Sequence, residues 1–269
     1  MSCNAFRAAK STSYRTLIML TLLICFGSAF STDFLIWDND TGGTFTDPED
    51  TDNTIGSEYW IENTLTALGY TVDTTTSLPD DLSQYMAIFA LFGFYPYNGT
   101  LDAGDEEALI TYLQNGGALY IEGCDFAFAY GSTELFSYTG AKFENDGRYY
   151  TEGNVNFANG VNGTMLEGIS MQYYAYQTEL PDNYVDEISA ETGTLAMVSL
   201  RAGIQSNGRV ILNRIPYRII YSSFIFSTLK DGEGGNTKEN LMNKYLTYLT
   251  QSGEYIENSS IGVIRSLFR

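Results

Sequence analysis

One cysteine, Cys124, follows the apolar run Ala118–Ile121, and it is flanked by the carboxylates Glu122 and Asp125. A thiol at the end of a buried strand is placed as a nucleophile would be, but it needs a base to form a thiolate near neutral pH. The chain has 269 residues and no histidine. That absence excludes Ser-His-Asp and Cys-His catalysis and every histidine-ligated zinc or iron site. The other two of the three cysteines, Cys3 and Cys25, sit in the N-terminal segment, so thiolate metal clusters are excluded as well. Neighbouring carboxylates raise a thiol's pKa and oppose its activation. Carboxylate chemistry, oxygen-ligated metals and binding remain. The stretch from Asp38 to Asp52 is the densest acidic loop, and calcium with oxygen ligands is the metal it suits. Asp38, Asp40, Asp50 and Asp52 are the candidate ligands, although their spacing differs from the helix-loop-helix calcium motif.

These residues need elements to hold them. Asp33–Trp37 is a short apolar run ending at Asp38-Asn39-Asp40, which predicts a buried strand. Tyr59, Trp60, Ile61, Leu65 and Leu68 recur at helical spacing and Gly69 closes that helix. Tyr70–Asp73 predicts an edge strand, Met86–Phe92 a buried one and Ala118–Ile121 another. Between the last two, Asp102 is the expected N-cap of a helix whose first turn holds Asp105, Glu106 and Glu107. Continuous apolar strands separated by helices predict a parallel sheet covered on both faces. From about 140 to 214 helical spacing disappears, which predicts a β-rich insertion, with Met197–Leu200 and Val210–Leu212 its clearest strands. Tyr217–Phe226 predicts a strand pair or bent strand, and Lys238–Leu249 a final helix with Leu241, Met242, Tyr245, Leu246 and Leu249 on one face.

In an open parallel sheet, ligands sit outside the carboxyl ends of the strands. The predicted strand ends bring Asp38 and Asp40, Tyr95 and Tyr97, and Glu122, Cys124 and Asp125 to one rim. Carboxylates bond sugar hydroxyls and tyrosine rings stack on sugar faces, so this rim suits an extracellular carbohydrate. Two of its carboxylates, such as Asp38 and Asp125, have the residue types for acid and base in glycoside hydrolysis.

The N-terminal segment carries Arg7, Lys10 and Arg15, then an apolar run from Leu17 to Phe26, then Gly27-Ser28-Ala29. That order predicts a secretory signal peptide over 1–29, with a retained anchor and lipidation at Cys25 as alternatives. A cut after Ala29 leaves about 240 residues, enough for one α/β domain over 30–252 with a tail over 253–269. No permanent membrane span is expected after cleavage. With 33 Asp and Glu against 14 Lys and Arg, the net charge of −19 disfavours nucleic acid and anionic lipid.

The strand ending in acidic residues, the helix closing on Leu68-Gly69-Tyr70, and Asp102–Leu113 followed by Gly116-Gly117-Ala118-Leu119 together resemble the class I glutamine amidotransferase-like superfamily, closest to its secreted bacterial branch. Ile219–Phe226 followed by Lys238–Leu249 resembles that fold's closing strand and helix. The resemblance implies a three-layer, flavodoxin-like α/β fold. It also implies a nucleophilic cysteine on a strand-to-helix elbow with small residues two positions either side. Cys124 alone can occupy that place, yet Glu122 and Phe126 are bulky and no histidine exists to pair with it. The resemblance therefore leads to a secreted or cell-surface bacterial domain without the catalytic triad and without a cofactor other than calcium. The expected role is a binding or surface-associated module for extracellular carbohydrate or a cell-surface component. A carboxylate-based hydrolase and a structural part of an envelope assembly are the alternatives.

Overall fold

The computed structural model describes residues 32–147, 157–173, 185–201 and 205–250. The expected signal segment and C-terminal tail lie outside them, as do parts of the insertion.

Five strands make the parallel core: β1 (Phe34–Asp38), β4 (Val72–Thr75), β5 (Ala87–Leu91), β6 (Ala118–Glu122) and β13 (Arg218–Ser222), side by side in the order β4-β1-β5-β6-β13. By position along the core this is the 2-1-3-4-5 order of flavodoxin-like sheets. Alternation along each strand explains why the runs are apolar throughout. Phe34 and Ile36 of β1 enter one core with Phe89 of β5, while Leu35 and Trp37 enter the opposite core with Ile88 and Ala90. Each face is covered by helices. Helices α1 (Tyr59–Ala67) and α5 (Lys238–Thr250) pack on the first face through Ile61, Leu65, Leu241, Tyr245 and Leu249. Helix α2 (Ala103–Gln114) covers the second through Leu109, Tyr112 and Leu113. Asp102 caps α2 as predicted, its Oδ1 accepting from Gly104 N at 2.7 Å and Asp105 N at 2.9 Å. Gly69 ends the α1 turn at φ +90°, where a side chain would be strained.

The β-rich insertion extends this sheet. Its strands include β7 (Ala141–Asn145), β8 (Phe157–Gly160), β9 (Ser170–Tyr173), β10 (Glu187–Ala190), β11 (Thr194–Arg201) and β12 (Gln205–Asn213). Strand β12 runs antiparallel to β13, and β11, β8, β9 and the short β14 (Leu229–Lys230) continue outward, so a parallel core carries an antiparallel wing. Three elements depart from the sequence reading. Helices α3 (Phe126–Tyr130) and α4 (Glu134–Tyr138) are five residues each, too short to show helical periodicity. The apolar run to Phe226 leaves the strand at Ser222, yet Phe224, Ile225 and Phe226 are fully buried. The backbone turns while the side chains remain in the core, so hydrophobicity alone does not mark the strand's end. A hairpin of β2 (Phe45–Thr46) and β3 (Thr54–Ile55) occupies the acidic loop. No helix among the described residues is long and apolar enough to cross a membrane.

Candidate functional site

The carboxyl ends of β1, β5, β6 and β13 meet on one edge, and backbone hydrogen bonds continue between their loops beyond the strands. Asn39 N donates to Leu91 O at 2.9 Å, Thr41 N to Tyr97 O at 2.9 Å, Cys124 N to Gly93 O at 2.9 Å and Gly123 N to Ser222 O at 3.1 Å. Two glycines permit this closeness. A Cβ on Gly93, at φ +70°, would lie 2.5 Å from the Cβ of Asp40, and one on Gly99 would lie 1.9 Å from Asn39 O. Gly99→Ala therefore forces the β1 and β5 loops apart. The expected cost is about 2 kcal/mol of stability, the scale of an overpacked site, read as a lower urea midpoint with an unchanged slope.

The edge positions the residues singled out from sequence in two layers. Tyr95 is exposed, and Asp38, Asp40 and Tyr97 are half-buried, with the Tyr97 ring set against Phe94. Glu122 and Cys124 are completely buried beneath them, and Asp125 is 8% exposed. Cys124 does occupy the turn between β6 and α3, but its place below the surface removes it from the set able to touch a ligand in this conformation. Asp50 and Asp52 lie exposed in the β2–β3 turn, where Asp52 N donates to Asp50 Oδ1 at 3.3 Å. Asp38, Asp40, Asp50 and Asp52 do not form a close group of carboxylates; among the described residues that arrangement belongs to Asp125, Asp146 and Asp186.

Burial governs the electrostatics. The Asp38 carboxyl is pushed up to about 7, first by desolvation and then by the charges of Asp40 and Glu58. Asp40 is also raised, mainly by burial, although its oxygens accept from Gly42 N at 2.7 Å and Ser57 Oγ at 3.0 Å. Glu122 is raised to about 8 by desolvation, opposed by hydrogen bonds to one oxygen from Tyr120 Oη at 2.5 Å and Phe226 N at 2.8 Å. Its other oxygen is buried with no hydrogen-bond partner. On the far side of the elbow, Asp125 rises to about 6 and Asp186 to about 8, again from burial first. Near pH 7 the edge thus mixes protonated and ionised carboxyls, and it can donate and accept hydrogen bonds through the same residue type.

Sequence reasoning missed Ser57, Glu58, Asp146 and Asp186. No spacing links Asp125 to Asp146 and Asp186; only the pairing of β7 with β10 brings the last two together. Two exposed rings were not among the candidate residues: Tyr59, at the start of α1, which the sequence reading counted in that helix's pattern, and Phe128, on the short α3.

No family model matches the chain, and no curated protein matches it. Solved structures do. A ThuA-like protein from Bacteroides uniformis superposes with a TM-score of 0.51 at 14% identity, covering 85% of this chain and 95% of its own. The mmIFT52 N-terminal domain gives 0.53 at 11% identity, covering 83% and 98%. A glutaminase domain of Trypanosoma brucei CTPS aligns at 0.40 and 11% identity, too distant to carry argument. At these identities the likeness shows the fold alone: the chain has the flavodoxin-like architecture of ThuA-like, amidotransferase-like proteins.

Proposed function

We propose that the chain is a secreted, non-catalytic domain of amidotransferase-like fold that binds extracellular carbohydrate at the carboxyl edge of its parallel sheet. The observation that carries this reading is the state of the elbow. Cys124 is fully buried in a chain without histidine, while Tyr95 in the loop after β5, Tyr59 at the start of α1 and Phe128 on α3 are exposed rings, and Asp38 and Asp40 are half-buried carboxyls. Exposed rings give sugar faces an apolar platform and carboxyls bond the hydroxyls, a pairing that needs no activated nucleophile. The signal-like segment and the strongly acidic composition support an extracellular setting. The test is titration calorimetry of the purified chain against a panel of soluble bacterial and plant polysaccharides. Tyr95→Ala is expected to weaken binding at least about tenfold, the loss of about 1.4 kcal/mol, without lowering the unfolding midpoint. Absence of binding across the panel, or binding indifferent to Tyr95, Tyr59 and Phe128, sinks the reading.

One observation favours hydrolysis as the second reading. Asp38, half-buried and raised to about 7, lies close enough to Asp40 to feel its charge, which places a carboxylic acid near a second carboxyl. Release of reducing ends from a bound polysaccharide, abolished by Asp38→Asn, would replace the non-catalytic reading with this one.

A further inference from the structure

Asp125, Asp146 and Asp186 come from three separate segments, and each has a structural reason to be where it is. Asp125 follows Cys124 at the elbow, and its Oδ2 accepts from Asn98 Nδ2 at 2.6 Å. Strands β7 and β10 are antiparallel with Asn145 opposite Glu187, so the residue after β7, Asp146, and the residue before β10, Asp186, continue the same ladder side by side. Like charges placed across a ladder repel. The three residues nevertheless converge, each offering a carboxylate oxygen within 4.8 Å of the others.

Asp186 supplies a second observation. It is completely buried and firmly held: its N donates to Cys124 O at 2.7 Å, its carbonyl accepts from the buried Arg209 Nη1 at 2.7 Å, and its Oδ2 accepts from Phe128 N at 2.9 Å. Its Oδ1 has no hydrogen-bond partner. A buried carboxylate oxygen without a donor is rare and calls for a water or an ion. Here the oxygen belongs to a carboxylate gathered with two others.

We propose that Asp125, Asp146 and Asp186 form a binding site for one calcium ion beside the β6–α3 elbow. The donor set is oxygen only, which selects a hard cation. Coordination preference then separates the two common ones. Magnesium demands a near-ideal octahedron and keeps several of its waters, whereas calcium accepts carboxylates in irregular arrangements. Three carboxylates whose oxygens lie within 4.8 Å of one another, held by the elbow and the β7–β10 ladder, suit calcium. The bound ion would tie the elbow and the β7–β10 pair together. The site is separate from the acidic-loop residues Asp50 and Asp52, and it stands whether or not the edge binds sugar.

The test uses the purified chain, stripped with a chelator and titrated with calcium chloride by calorimetry, with thermal unfolding measured in parallel. Binding by about 1 mM calcium, within the range of extracellular sites, with a rise of several degrees in Tm, is expected. Asp186→Asn and Asp146→Asn should each abolish both responses, while Asp50→Asn/Asp52→Asn should leave them intact. Tyr221 lies close enough to Asp186 and Asp125 to feel their charges, so terbium luminescence excited through tyrosine should appear in the parent chain and vanish in Asp186→Asn. Four results overturn the proposal: no heat and no Tm shift in the parent chain, which means the carboxylates share protons instead; a response equal or greater with magnesium; loss of the response in the acidic-loop variant; or its survival in both Asp186→Asn and Asp146→Asn.

Discussion

Lys238→Ala is expected to lower folding stability by about 3 kcal/mol, the low end for breaking a buried ion pair. The ammonium of Lys238 is 2% exposed at the start of α5. It bonds the Glu49 carboxylate, lies 3.1 Å from Asp231 Oδ1, donates to Leu229 O at 3.0 Å and stands 4.7 Å from the centre of the Trp60 ring. Removing it takes one donor from a buried carbonyl and the cation from two carboxylates. The loss stays near the low end because Glu49 and Asp231 retain 27% and 41% exposure, so water takes over part of their stabilisation. Lys238→Met keeps the aliphatic stem near Trp60 and loses only the charge, and its difference from Lys238→Ala measures the packing share. Urea unfolding gives the magnitude, and hydrogen exchange should show protection lost first in the β2–β3 hairpin, which this lysine ties to α5. Unchanged stability in Lys238→Ala would show that the pair contributes nothing net.

The same lysine shows where sequence reading reaches its limit. By residue type alone, the acidic residues between Asp38 and Asp52 suit calcium. The fold gives several of them ordinary partners: Asp47 accepts from Trp60 Nε1 at 2.9 Å and from Glu49 N at 2.9 Å, and Glu49 bonds Lys238, 189 residues away. No local pattern encodes a contact at that separation. The parallel core was legible because its strands are apolar on both faces and its helices carry 3.6-residue periodicity and caps such as Asp102, all of which are local signals. The edge was legible at the level of strand ends, since Asp38 ends β1 and Tyr95 and Asp125 lie in the loops that leave β5 and β6. Depth was not. Whether Glu122 and Cys124 line the edge or lie beneath it depends on how closely neighbouring loops approach, and that is set by Gly93 and Gly99 together with the opposing Asp40 and Asn39. Asp186 was invisible because its role comes from the antiparallel wing, whose register places it next to Asp146.

Glu122 yields a large pH effect. A carboxyl held at about 8 in the fold, against an ordinary value of 4.5, keeps its proton in the native state while the unfolded chain has already lost it. Between those values the native state binds more protons, so stability decreases as pH rises, by up to about 1.4 kcal/mol per pH unit for one such group. The contribution is fully present below about pH 4.5 and is lost as pH climbs through about 8. Asp186, also raised to about 8, acts in the same direction, so the measurement belongs in chelator to exclude bound metal. Asp38 and Asp125 are more accessible to water and add less. Exposed carboxylates cannot mimic the effect above about pH 6, because they are ionised in both states by then. The urea midpoint of the parent chain should therefore fall steadily from about pH 6 to about pH 8. Glu122→Gln keeps an oxygen for Tyr120 Oη and Phe226 N but has no proton to lose, at the cost of burying an amide where one oxygen had no partner. It should be less stable than the parent at low pH, shallower in its pH dependence, and equal to or above the parent beyond about pH 8. Parallel pH profiles for the two proteins would show that Glu122 is ionised in the native state throughout, and that its desolvation is offset by its neighbours.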